Sequence, residues 1–212
     1  MNKFLNFNKV LCISPHPDDV EYSMGGSIIK CKDTLFDVLC LSNGGDYDIT
    51  SNKTRIKETQ NSWKIVKCYN VKLLNTDVVF MNEKREDEWI NYIETKMVNM
   101  EEYNCVFCPT SNDSHFEHRF TFGLANALIR SIPVSLIEYF TPSTLDSWVA
   151  NLLVDISSVY DNKIRMLKEF KSQKHKSFFH KNSLNSFHSH YQASKRKIKT
   201  IEKFNIKVNY IL

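Results

Sequence analysis

His16, Asp18 and Asp19 place an imidazole and two carboxylates within four positions, between an apolar run and the Gly25-Gly26 pair. A catalytic zinc keeps three protein ligands and an open position, and it works best beside a carboxylate that can take a proton from water. One loop of this composition can supply two ligands and the base. A third ligand can come from Asp113-Ser114-His115-Phe116-Glu117-His118, the only other dense cluster of such residues before the C-terminal region. The same residues admit a structural reading. Pro17-Asp18-Asp19 also suits a helix start with Glu21 in its first turn, and an isolated His115 or His118 reads as a surface or packed histidine. The two clusters together favour chemistry, provided that the fold brings them to one place.

Short apolar runs at 9–13, 36–41, 71–74, 104–108 and 134–140 read as buried strands, each bounded by polar turns. Amphipathic stretches at 20–32, 53–68, 86–100 and 117–130 alternate with them. The second places Ile56, Trp63 and Val66 on one stripe, and the fourth Phe120, Leu124, Ala127 and Leu128. A later helix is expected from an Asp155 cap to about 171, burying Tyr160, Ile164 and Leu167. This alternation predicts an α/β, Rossmann-like fold with a mostly parallel sheet and helices on both faces. In such sheets ligands bind beyond the C-terminal strand edge, where strand order reverses. With the common order 3-2-1-4, that point lies between the strands that precede His16 and His115. Both clusters then share one active site, which a capping role alone would not require.

The chain has 212 residues, a length suited to one domain spanning 1–212, and its 42% hydrophobic content argues against disorder. No stretch reads as a signal peptide or a transmembrane segment, so a soluble cytoplasmic protein is expected. The six cysteines sit in apolar segments, as reduced core thiols do. Cys105 and Cys108 form a C-x-x-C, but on a strand residues three apart face opposite sides and cannot share a metal. The net charge of +4 is uneven: residues 163–212 hold 13 Lys/Arg against 2 Asp/Glu, and residues 1–162 hold 15 against 22. A basic C-terminal region suits an anionic partner or a solvated lysine-rich face. Nucleic acid is not expected, because no aromatic stacking motif is interleaved with the cations. Residues 172–195, rich in His, Ser, Lys and Phe, read as a variable surface excursion.

The Pro15-His16-Pro17-Asp18-Asp19 core with Gly25-Gly26 resembles the opening motif of the LmbE-like, or PIG-L, zinc de-N-acetylase superfamily. Ser42-Asn43-Gly44-Gly45, Arg55-x-x-Glu58, Asp113-x-His115-x-x-His118-Arg119, Val154-Asp155-Ile156-Ser157, Lys163, Ser172-Gln173 and Glu202-x-Phe204 resemble its later markers. The resemblance implies that His16, Asp19 and His118 bind Zn2+, with another divalent metal such as Fe2+ as the alternative, and that Asp18 is the general base. It implies that a protonated His115 stabilises the oxyanion or assists the leaving amine, and it marks Arg55 and Asp113 as substrate-binding candidates. Arg55 equally suits an i,i+3 surface pair with Glu58, and Gly25-Gly26 suit either close approach to the site or a packing contact. The expected reaction is hydrolysis of an N-acetyl group from an N-acetylglucosamine-type small molecule or glycoconjugate, with phosphorylated and nucleotide-linked substrates included. The alternatives are a metallo-amidohydrolase acting on a non-sugar amide and a non-catalytic phosphate- or nucleotide-sugar-binding protein; a homo-oligomer is compatible with either. Two departures stand out: the family's His-Pro-Asp-His is here His115-Phe116-Glu117-His118, and residues 175–195 fit the family pattern poorly. The resemblance leaves substrate specificity to that stretch.

Overall fold

Strands buried on both faces read as continuous apolar runs, and such runs build the sheet in this computed structural model, which describes residues 3–44, 49–189 and 198–210. β1 (Lys9–Ser14), β2 (Leu35–Cys40), β3 (Val71–Asn75), β4 (Cys105–Pro109) and β5 (Ser135–Tyr139) are parallel. Two further strands extend the sheet: β6 (Leu152–Asp155) and β7 (Ile201–Val208), the latter antiparallel to both β5 and β6. The order is β3-β2-β1-β4-β5-β7-β6, so the reversal point falls between β1 and β4. The helices are α1 (Asp19–Lys30), α2 (Ile49–Ile65), α3 (Glu86–Tyr92), α4 (Phe116–Leu128), α5 (Tyr160–Leu167) and α6 (Lys181–Phe187).

Alternation along each strand divides the core. Val10, Cys12, Cys105 and Phe107 pack on one face with Met24 and Ile28 of α1; Leu11, Ile13, Val106 and Cys108 pack on the other with Leu124 of α4 and Trp89 of α3. Cys105 and Cys108 therefore lie on opposite faces of the sheet, both buried and free. Among the described residues no helix is long and apolar enough to cross a membrane.

Three expectations change. The helix expected over 86–100 ends at Tyr92 and widens into a π-turn at Ile93–Met97; Val98 is extended, and Asn99 caps a separate turn by accepting from the Glu101 N–H. Asp155 does not cap a long helix. It ends β6 and accepts from the Ser157 N–H (2.9 Å) and hydroxyl (2.6 Å), so α5 starts only at Tyr160. The 172–195 stretch is not simply an excursion: it contains α6, and its residues 190–195 lie outside the described ones. The glycine pair has a packing role. A Cβ on Gly25 would lie 2.8 Å from Met166 Sδ, and one on Gly26 2.9 Å from Ile156. This closeness lets the Gly26 and Ser27 N–H groups donate to Glu202 at 2.8 and 2.7 Å, where Glu202 also pairs with fully buried Lys163.

Candidate active site

The loops after β1 and β4 meet as the topology requires, and each brings its histidines and carboxylates to the same cleft, of about 320 Å³. His16, Asp19 and His118 each offer a ligand atom, all within 4.8 Å of one another. His118 Nε2 lies 3.4 Å from Asp19 Oδ1, and His16 Nδ1 lies 3.1 Å from Asp19 Oδ2. Ligands about 2.0–2.1 Å from a tetrahedral metal are separated by about 3.3 Å, so the spacing suits one ion.

The supporting contacts fix which atoms face that centre. Asp113 Oδ2 sits 3.0 Å from His118 Nδ1 and accepts from the Thr141 hydroxyl at 2.6 Å, while Asp113 Oδ1 accepts from the His115 N–H at 2.8 Å. A carboxylate on Nδ1 orients the ring and leaves Nε2 free for a cation. Asp113 itself is fully buried behind His118 and does not line the cleft, which corrects its assignment to substrate binding. Burial disfavours charge on His118, but Asp19 and Asp113 outweigh it and push the imidazole up to about 10. Burial likewise opposes charge on Asp19, yet the two histidines hold it well below the usual carboxylate range. A divalent metal would replace the proton that His118 holds on Nε2, and two imidazoles with an ionised carboxylate are then a fitting donor set.

Asp18 is placed differently. Its backbone takes φ +117°, a left-handed conformation costing about 1–3 kcal/mol for a non-glycine residue. That kink lets Asp19 face the ligands while Asp18 turns to Arg55. Arg55 Nη2 donates to Asp18 Oδ2 (3.1 Å) and to the Pro17 carbonyl (2.7 Å), and Nη1 donates to the Gly44 carbonyl (2.8 Å). Gly44, at φ +67°, is required here, since a Cβ would lie 2.2 Å from the guanidinium. Arg55 therefore makes no surface pair with Glu58, which instead accepts from Ser172. Burial raises the Asp18 carboxyl above its ordinary value, with Arg55 opposing and Asp19 adding to the rise. A raised carboxylate beside a metal donor set is suited to taking up a proton.

His115 is the N-cap of α4; its Nδ1 accepts from the Glu117 N–H at 3.3 Å. Its ring stacks on His118 with centroids 4.7 Å apart. Burial, followed by the charges of His118 and His16, lowers its pKa. The lowered pKa works against the protonated His115 that the resemblance implies, and because Nδ1 accepts from the Glu117 N–H, Nε2 is the position left to donate. Glu117, where the family has Asp, reaches 2.6 Å from His16 Nε2. His16, His115 and Glu117 form a second group able to hold a cation.

Sequence reasoning overlooked Thr141, which carries no chemical signature, and the cleft wall made by Tyr22, Phe80, Lys176 and Phe178. Phe178 falls in the segment that departs from the family pattern, where an aromatic pair, Phe178-Phe179, was the available signal.

The chain is 27% identical over 197 residues to a diacetylchitobiose deacetylase of Thermococcus kodakarensis, covering 80% of this chain and 72% of the relative. The structure of N,N'-diacetylchitobiose deacetylase from Pyrococcus horikoshii superposes with a TM-score of 0.71 at 22% identity, over 98% of this chain and 86% of that one. GalB, the 4-carboxy-2-hydroxymuconate hydratase of Pseudomonas putida KT2440, gives 0.77 at 16% identity over 97% and 98%, a likeness of fold alone. The relatives named as deacetylases are hydrolases of amide carbon–nitrogen bonds. The family model PIG-L, GlcNAc-PI de-N-acetylase, matches residues 11–129, the segment that holds both motifs, and the chain belongs to that family.

Proposed function

We propose that this chain hydrolyses the N-acetyl group of an N-acetylglucosamine-type sugar or sugar conjugate, with His16, Asp19 and His118 holding a divalent metal and Asp18 as general base. The carrying observation is the division of labour between adjacent carboxylates: Asp19 faces two imidazoles, whereas Asp18 is turned aside and held by Arg55. Zinc is our reading of the ion, with Fe2+ fitting the same donor set. When bound, such an ion supplies Lewis acidity, polarising a carbonyl oxygen and acidifying water at the site.

The chain's own groups do the rest. Asp18, held by one hydrogen bond from Arg55, which is itself anchored on the Gly44 and Pro17 carbonyls, accepts the proton of the attacking water. His115, with Nδ1 occupied by the Glu117 N–H, donates from Nε2 to the oxygen or nitrogen on which charge develops. The proton taken up by Asp18 is available to the departing amine. Asp113 and Thr141 keep His118 in one orientation throughout.

Acetate release from N,N'-diacetylchitobiose and from non-sugar acetamides tests this reading, using metal-stripped and reloaded protein. Sugar-selective release that returns with metal is expected, together with a loss of about 10²–10⁴-fold in Asp18→Asn at unchanged metal content. Metal loss in Asp18→Asn with retention in Asp19→Asn would reverse the two carboxylates. Release from non-sugar amides alone would sink the sugar assignment.

A further inference from the structure

The segment after α5 forms one wall of the cleft and is pinned there at two points. Ser172 donates its N–H and hydroxyl to the buried Glu58 carboxylate at 2.9 and 2.6 Å. Further on, the Tyr22 hydroxyl donates to the Phe178 carbonyl at 2.8 Å, and the Tyr22 ring meets Phe178, Phe179 and Phe187 edge-on. Lys176 lies between these anchors, half-buried, with its ammonium 5.7 Å from the Phe178 ring centre.

The other cations lining the cleft are committed: Arg55 to Asp18 and two carbonyls, His16 to Asp19 and Glu117, His118 to Asp19 and Asp113. Among the described residues Lys176 has no carboxylate within ion-pair distance. Its charge reaches Asp18, whose carboxyl it lowers, but without a direct ion pair, so this half-buried lysine on the cleft wall is still stabilised by an anion that enters beside it.

We propose that Lys176 forms an anion subsite that selects N-acetylated sugars bearing a phosphate, as monoester or diester; this rests on the deacetylase reading above. The anchors preorganise the cation, so less side-chain freedom is lost on binding than at a mobile surface lysine. The phosphate and the acetamide of one sugar are then held by different walls, the first at Lys176 and the second toward His118.

The test compares kcat/KM for methyl N-acetylglucosaminide, N-acetylglucosamine 1-phosphate and its nucleotide diphosphate ester, in the parent enzyme, Lys176→Gln and Lys176→Arg. The readout is the ratio of phosphorylated to neutral substrate within each protein. A ratio on the order of tenfold is expected in the parent, that of a charge-assisted bond at a partly exposed site. It should fall to near one in Lys176→Gln, return largely in Lys176→Arg and shrink with added salt. Whichever ester shows the larger ratio identifies the monoester or the diester. Equal ratios in the parent and Lys176→Gln overturn the subsite, as does inhibition by inorganic phosphate as strong as that by the sugar phosphate. If no substrate releases acetate, the deacetylase reading fails separately, and calorimetry of the same sugars decides the subsite: Lys176-dependent preference for the phosphate keeps it, and equal binding removes it.

Discussion

Asp113→Asn separates metal orientation from substrate binding. Asp113 is fully buried, and its oxygens accept from the Thr141 hydroxyl, the His115 N–H and the protonated Nδ1 of His118. Asparagine retains one acceptor oxygen, so its amide group must turn a donor toward at least one of these donors. If the amide faces His118, the ring is driven to the other tautomer or rotated, and Nε2 no longer presents a lone pair to the metal. Removal of a partner of this kind typically costs about 10–100-fold in metal affinity, or about 1.4–2.7 kcal/mol. Zinc affinity is measured by competition with a chromogenic chelator, and kinetics are followed with and without excess metal. The expected pattern is weaker zinc, kcat partly recovered by excess zinc, and an unchanged KM for the sugar. Unchanged zinc affinity with a raised KM would refute the reasoning and return Asp113 to the substrate.

Removing the cation in Arg55→Met raises Asp18 further, since an opposite charge at this distance shifts a carboxyl by about one to three pKa units; the acid limb of the kcat/KM profile should move to higher pH, and an unmoved limb would deny that Arg55 tunes the base. Lys163→Met leaves Glu202 charged and buried with only the Gly26 and Ser27 N–H groups; such a break costs about 3–5 kcal/mol, so calorimetry should show Tm lower by about 6–20 °C, and a change under about 2 °C would contradict it. His188 is fully buried, and burial with the charge of Lys163 depresses it to about 2. Below pH 6.5 the unfolded chain binds a proton that the fold refuses, so stability is complete above 6.5 and falls with pH, by about 2 kcal/mol at pH 5. His188→Leu should flatten that part of the pH–Tm curve relative to the parent, and parallel curves would refute the burial argument.

The parallel half of the sheet was legible because each strand carries its own apolar run and is buried on both faces. β7 was legible as well, since Phe204-Asn-Ile-Lys-Val208 alternates with period two, yet its lysines drew attention to charge instead of periodicity. Asp155 misled because a short carboxylate makes the same two-residue bond in a turn as at a helix cap. Within the site, legibility followed chemical density. Two loops each had to supply several polar groups over a few residues, so His16 to Asp19 and Asp113 to His118 stand out in a linear reading. The groups that orient and enclose them come singly from distant segments: Thr141 lies just beyond β5, Arg55 on α2, Tyr22 on α1 and Lys176 between α5 and α6. Thr141 is an ordinary threonine until Asp113 is known to need a donor. Lys176 is one of 13 Lys/Arg in its region until Ser172 and Phe178 are seen to pin its segment to the cleft. Sequence density therefore marks the two loops that meet at the cleft, while the residues that wall it come singly from α1, α2 and the segment after α5 and show themselves only once these are brought together.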